Sequence, residues 1–170
     1  MTELEIEEKL KDIFEQNYEL LKLEGGHALT EATKNDAFQQ ILYYYRKLND
    51  VATKVTDTEV KLTLPDQKTP DGRSFTIEGI VDIVREEDEV WMYDIKTHDP
   101  LYVRSNIDFY QKQLNVYSYI WENLRGNKLD HTAVISTVLP DGLKNAIIED
   151  NQSRAVKEFE DWKPIIEIPF

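Results

Sequence analysis

Apolar and polar residues alternate along this chain in two distinct rhythms. Residues 3–23 repeat at helical spacing, with Leu4, Leu10, Ile13, Phe14, Leu20 and Leu21 as the apolar positions, and Gly25-Gly26 marks the stop. A second helix is predicted over 31–48, with Ala37, Phe38, Ile41, Leu42, Tyr45 and Leu48 on one side. The rhythm then changes to period two. Val55 to Leu64 alternates as a strand, and Pro65 to Gly72 reads as a turn-rich connection. Two further strands, Phe75 to Val84 and Val90 to Thr97, flank the charged run Arg85-Glu-Glu-Asp-Glu89, which is the pattern of a β-hairpin. Pro100 closes it. Ser105-Asn-Ile-Asp108 has the form of a capping box for a helix running to Arg125, where Gly126 stops it; its apolar stripe is Ile107, Tyr110, Leu114, Tyr117, Trp121 and Leu124. His131 to Leu139 is a fourth strand, ended by Pro140-Asp-Gly142. A last helix spans Glu149 to Trp162, with Val156, Phe159 and Trp162 inward and Pro164 beyond it. The predicted order is ααβββαβα. Three antiparallel strands, a crossover helix and another strand make a mixed α/β fold, a central mixed sheet flanked by helices.

The hairpin carries the candidate chemistry. With its turn centred on Asp88, positions equidistant from Asp88 face each other, which sets Asp82 opposite Asp94 and Ile80 opposite Lys96. Side chains alternate faces along a strand, so Asp82, Asp94 and Lys96 are predicted on one face. Opposed carboxylates repel, and burying an unpaired charge costs more still. A divalent cation relieves both, and Lys96 adds a further positive charge. In a chain that is 31% charged, Asp-x-Lys by itself is ordinarily a solvated face with a weak ion pair. Ile83, Val84, Val90, Tyr93 and Ile95 argue for covered strands instead, where polar residues need a reason.

Composition narrows the setting. A length of 170 residues, 41% of them hydrophobic, is consistent with one domain over 1–170 and a substantial core. No apolar run reaches the roughly 18–20 residues of a membrane span, and the acidic start Met1-Thr-Glu-Leu-Glu-Ile-Glu-Glu8 does not read as a signal peptide. Cysteine is absent, which excludes disulfides and cysteine-ligated clusters and suits a reducing cytoplasm. The net charge of −13 opposes a general nucleic-acid binder. Residues 1–24 carry a net −5, residues 25–145 a net −5 and residues 146–170 a net −3. Part of the middle deficit comes from the candidate metal ligands and the Glu86 to Glu89 turn, so a local basic groove there remains compatible with the total.

Three short motifs occur in order: Gly79-Ile-Val-Asp82, Asp94-Ile-Lys-Thr97 and Gln113-Leu-Asn-Val-Tyr117. On these motifs the chain resembles the PD-(D/E)xK nuclease superfamily, with its restriction-endonuclease-like αβββαβ core. Within it, the chain is most similar to the RecB-like exonuclease branch that includes the CRISPR adaptation nucleases. The resemblance covers roughly residues 25–140. It implies that Asp82, Asp94 and the Ile95 carbonyl bind Mg²⁺ or Mn²⁺, and that Lys96 positions and helps to deprotonate the attacking water. Gln113, one turn before Tyr117, would reach the site or the nucleic acid; Tyr110 and Tyr117 read as core or supporting residues. The branch also uses a histidine as metal ligand. His27, in Glu24-Gly-Gly-His-Ala-Leu-Thr-Glu31, is the candidate, with Glu31 as its substitute and Glu59 as a more distant supporting residue. The chain departs from the pattern where His98 replaces the glycine that often follows Lys-Thr; a surface histidine is the simpler account of it. The cysteines that hold an iron–sulfur cluster in some relatives are missing, so no cluster is expected.

The activity implied is a metal-dependent deoxyribonuclease, an exonuclease of DNA repair, recombination or mobile-element processing, acting alone, as a homo-oligomer or beside a separate helicase or recombination protein. Two alternatives stand beside it: a catalytically silent nuclease-fold module that binds a protein or nucleic-acid partner, and a metal-dependent hydrolase of nucleotides.

Overall fold

The computed structural model describes residues 2–25 and 29–170. They fall into two compact units, one up to Asn49 and one from Asp50 to Phe170.

The first unit is helical. α1 (Glu3–Leu23) opens with a reciprocal cap: the Thr2 hydroxyl accepts from the Glu5 N–H, and the Glu5 carboxylate accepts from the Thr2 N–H. α2 (Glu31–Lys47) is capped by Thr30, whose hydroxyl accepts from the Thr33 N–H. Phe14 meets Phe38 with ring centroids 5.4 Å apart, Glu15 pairs with Lys34, and Glu7 holds Arg46 through two bonds of 2.6 and 2.9 Å. The expected inward stripe of α1 is only partly realised, because Leu4, Ile13, Leu20 and Leu21 are exposed. A short turn, α3 (Asn49–Ala52), follows in the chain.

The second unit is built on five strands in the order β1-β2-β3-β4-β5. β1 (Asp57–Lys68), β2 (Ser74–Glu86) and β3 (Val90–Lys96) form an antiparallel meander. β4 (His131–Ser136) joins β3 in parallel, and β5 (Ile165–Ile168) closes the far edge antiparallel to β4. The mixed α/β sheet is as expected. Several boundaries differ. β1 continues through Pro65 to Lys68 by shifting register between Leu64 and Gln67, so the turn begins only at Thr69. A proline is tolerated there because β1 is an edge strand and the irregularity removes the need for its missing N–H.

Proline also explains the elements that the pattern did not predict. Pro100 does not merely end the hairpin: with Asp99 as N-cap it opens a short helix, α4 (Pro100–Ser105). The Ser105 hydroxyl donates back to the Leu101 carbonyl, so it makes no capping box, and α5 (Ile107–Arg125) starts from Asn106 without a side-chain cap. Pro140 precedes another helix, α6 (Asp141–Ile148), and α7 is shorter than expected (Gln152–Asp161). Val156 is exposed rather than inward, whereas Trp162 is buried. β5 was hidden in the four residues after Pro164.

The core lies between the sheet and α5. Leu62, Leu64, Val81, Val84 and Met92 pack with Ile120 and Trp121, while Val134, Ile166 and Ile168 pack with Tyr110, Leu114 and Val103. Tyr117 touches both clusters. Leu124, predicted in the same stripe, is exposed where α5 nears its left-handed C-cap at Gly126. Burying the Leu114 or Ile120 side chain contributes about 1.5–3 kcal/mol each, so the middle turns of α5 are fixed firmly against the sheet.

Candidate active site

The hairpin has the register that a turn centred on Asp88 requires: Glu86 faces Val90, Arg85 faces Trp91, Val84 faces Met92 and Ile83 faces Tyr93. The ladder ends at that last pair, one residue short of the two aspartates. Beyond it, a side chain takes the place of main-chain pairing. The Ile95 N–H donates to Asp82 Oδ2 at 2.6 Å, so the Asp82 carboxylate holds the C-terminal half of β3.

β3 then sets the rest by alternation. Asp94 and Lys96 lie two residues apart on one strand face, and the parallel partner Val134, opposite Asp94, packs among the residues of α5. Asp94 is therefore driven under the helix and is only 4% exposed. Burial pushes its carboxyl above the usual carboxylate range and the nearby Asp82 charge adds to this, while Lys96 opposes it. Lys96 Nζ lies 2.6 Å from Asp94 Oδ2. That approach is close but badly angled, and Asp94 Oδ2 receives no well-directed hydrogen bond.

The other oxygen is served by α5. Gln113 Nε2 lies 3.5 Å from Asp94 Oδ1 and donates to the Tyr117 hydroxyl at 2.8 Å. The Tyr117 ring is placed in turn by a glycine: a Cβ on Gly79 would fall 2.4 Å from its Cε1. Gly79, Tyr117, Gln113 and Asp94 thus form one chain of contacts from β2 through α5 to β3. The three short motifs are brought together by it. Sequence spacing could pair Gln113 with Tyr117, but the Gly79–Tyr117 contact spans the fold and left no local signal.

The remaining candidates are placed as follows. Ile95 joins the site through the N–H that Asp82 accepts. His27 lies outside the described residues. Glu31 is exposed at the first position of α2 and lines a groove with Phe14, Lys34 and Phe38 within the helical unit. Glu59 occupies the register gap opposite Asp82, between the pairs Thr58–Ile83 and Val60–Val81, but it is exposed in a left-handed conformation (φ 51°), and among the described residues no hydrogen bond or ion pair ties it to the site. Among the described residues, no three His, Asp or Glu side chains form a ready metal cage. His98, read as a surface residue, is exposed but anchored: its Nδ1 is 2.8 Å from the Tyr110 hydroxyl and its carbonyl accepts from Ser136 Oγ. Burial raises the Tyr110 phenol, which also senses the charges of Tyr102, Lys96 and Asp94.

The donor set suits a hard divalent cation. Asp82, Asp94 and the Ile95 carbonyl offer oxygen ligands, and the buried, poorly satisfied Asp94 Oδ2 has the electrostatic need that such an ion meets. Comparison with known proteins agrees with this chemistry. No curated protein matches the chain. The model of the PD-(D/E)XK nuclease superfamily matches residues 2–167, nearly the whole length. With the mixed sheet and the Asp82, Asp94, Lys96 arrangement, this match identifies the chain as a member of the PD-(D/E)XK nuclease superfamily.

Proposed function

We propose that the protein is a Mg²⁺- or Mn²⁺-dependent deoxyribonuclease that hydrolyses phosphodiester bonds, acting as an exonuclease on DNA ends. The observation that carries this reading is Asp94: a carboxylate driven under a helix beside Asp82 and Lys96, with one oxygen poorly satisfied. A fold selected for stability alone would replace such a group by a packed apolar side chain.

Asp82, Asp94 and the Ile95 carbonyl would hold the cation, whose chemistry is to polarise a phosphoryl oxygen and acidify bound water. The protein's own contributions can be assigned by residue. Asp82 locks β3 through Ile95, so that the Asp94 carboxylate and the Ile95 carbonyl keep a fixed relation. Gln113, steadied by Tyr117, holds Asp94 in orientation from α5. Lys96 has a side chain 24% exposed, so its ammonium stands at the edge of the buried site. There it would orient the attacking water, accept stabilising contact with the charge that grows on the phosphoryl oxygens, and offset the paired carboxylates before substrate arrives.

The test is digestion of end-labelled linear and closed-circular DNA with Mg²⁺ or Mn²⁺, beside an EDTA control and Lys96→Ala. Metal-dependent loss of linear DNA only, absent from the variant, supports the exonuclease. Cutting of the circle replaces it by an endonuclease. No cleavage by folded protein that binds Mn²⁺ transfers the reading to a silent nuclease-fold module.

A further inference from the structure

Beside the buried carboxylates the surface changes character. Leu101 (73% exposed), Tyr102 (53%) and Phe109 (66%) lie in or next to the short helix α4 and the first turn of α5. Isolated exposed apolar residues are ordinary, but Tyr102 and Phe109 are linked to each other and to the site through His98 and Tyr110. The His98 and Tyr102 rings are 4.9 Å apart; His98 reaches Tyr110 by its 2.8 Å hydrogen bond; Phe109 meets the Tyr110 ring edge-on at 5.4 Å. His98 follows Lys96 by two residues, and Tyr110 precedes Gln113 by one turn. A row of rings, Tyr102–His98–Tyr110–Phe109, therefore passes beside the candidate active site, with an exposed ring at each end. Tyr110 within it is buried and hydrogen-bonded to His98, so the outer rings sit on a rigid base.

Two cations flank this row. Arg104 and Lys112 are exposed, and neither forms an ion pair with a carboxylate among the described residues. Lys112 shares the outer face of α5 with Phe109, three residues before it. The exposed Asp108 and the capping Asp99 limit the local positive charge.

We infer that Tyr102, His98 and Phe109 form a stacking platform for unpaired bases, which makes single-stranded nucleic acid, or the frayed end of a duplex, the class of substrate led to the site. This rests on the nuclease reading above. Two physical arguments select that occupant. A chain of net charge −13 gains little from phosphate attraction, so its hold on a polyanion must come largely from another source. Aromatic rings supply it only to bases that are free to stack, because bases in a duplex already stack on one another.

The experiment compares fluorescence anisotropy of a labelled oligothymidylate, an abasic oligomer of the same length and charge, and a blunt duplex, all in EDTA so that no cleavage intervenes. Wild type is expected to bind oligothymidylate about ten- to a hundredfold more tightly than the abasic oligomer. The double variant Tyr102→Ala/Phe109→Ala should bring the two within about twofold, while Phe109→Trp keeps the preference. Equal binding of the two oligomers by wild type, a preference undiminished in the double variant, or duplex bound as tightly as the single strand would overturn the platform. Cleavage with Mn²⁺ is scored separately. Wild type that prefers oligothymidylate yet cuts no DNA removes the nuclease reading and leaves the platform standing. Wild type that cuts DNA but shows no base preference removes the platform alone.

Discussion

The two ends of β3 handle charge in opposite ways. At its start, Trp91 stacks on His131 with centroids 4.0 Å apart, and the Arg85 guanidinium sits 5.6 Å from the Trp91 ring. His131 is bracketed by Glu167 at 2.9 Å and Glu89 at 3.4 Å, all within reach of water. At its end, three residues after Trp91, Asp94 is buried, crowded by Asp82, and paired with Lys96 in poor geometry. The same strand thus keeps its stabilising charges on the rim and its destabilising ones inside. Burial of a pair in imperfect geometry costs more desolvation than it returns. Such a cost is the physical mark of a site kept for chemistry.

The sharpest way to break this contrast is to remove one charge at each end. Lys96→Ala should lower DNA cleavage by about 10²–10⁴-fold. Because it leaves the buried Asp94 carboxylate without its cation, it should also cost about 1–3 kcal/mol in urea unfolding in EDTA, with the protein still folded. His131→Ala should leave cleavage within about twofold of wild type. Cleavage that survives Lys96→Ala, or falls as far in His131→Ala, would erase the distinction between the two ends.

A smaller effect tests how Asp94 is held. Gly79→Ala puts a methyl against the Tyr117 ring at a distance that no relaxed packing permits, so the ring must shift and carry its hydrogen bond to Gln113 with it. A loss of about 1–3 kcal/mol in urea unfolding is expected, with cleavage reduced about tenfold or more through misplacement of the site. Tyr117→Phe keeps the ring and deletes only the hydroxyl; it should cost about 0.5–1.5 kcal/mol. If Tyr117→Phe is as damaging as Gly79→Ala, the hydroxyl rather than the packing carries the support.

These residues also show what a linear chain reveals. The hairpin register was legible because four acids in five residues, Glu86 to Glu89 after Arg85, leave only one place for the turn. The alternation of Asp94 and Lys96, and the helical turn between Gln113 and Tyr117, follow from local geometry and were equally open to reading. Asp82 was expected to face Asp94 across a continued ladder; its grip on the Ile95 N–H depends on the strands parting, which no periodicity announces. Gly79 under Tyr117 is a contact between distant segments. The missed helices at Pro100 and Asp141 have a common cause: proline reads equally as a stop and as a residue at a helix start. It stands at the first position of α4 and as the N-cap of α6, and only the Asp99 cap favoured the second reading, for α4 alone. β5 is four residues long and makes sense only beside β4.

The Asp94 cost can be measured directly. Asp94→Asn keeps the shape and removes the buried charge, so in EDTA the variant should be about 1 kcal/mol more stable, a rise of about 2–4 °C in Tm. Wild type should gain stability when Mn²⁺ is added, and the variant should not. A variant less stable than wild type in EDTA would mean that the Lys96 pair outweighs the desolvation of Asp94, and the two ends of β3 would then differ in degree only.

The opposite end supplies the smallest effect, and its sign is fixed. The Glu167 hydrogen bond, aided by the Glu89 charge, raises His131 above its ordinary value near 6.5. A raised histidine stabilises the fold fully below the unfolded value and loses that contribution as pH climbs through the folded one. Wild-type stability should therefore decline from this source between about pH 6 and 8. Glu167→Gln removes the leading cause and keeps the hydrogen-bonding shape, so it should flatten the decline by less than about 1 kcal/mol, as expected for a pair open to water. Thermal melts of both proteins across that range, in EDTA, read the difference. A decline as steep in the variant would place the proton-linked stability elsewhere. Cleavage by the variant should stay unchanged throughout, because β3 separates this rim from Asp94 by its whole buried middle, Met92 and Tyr93.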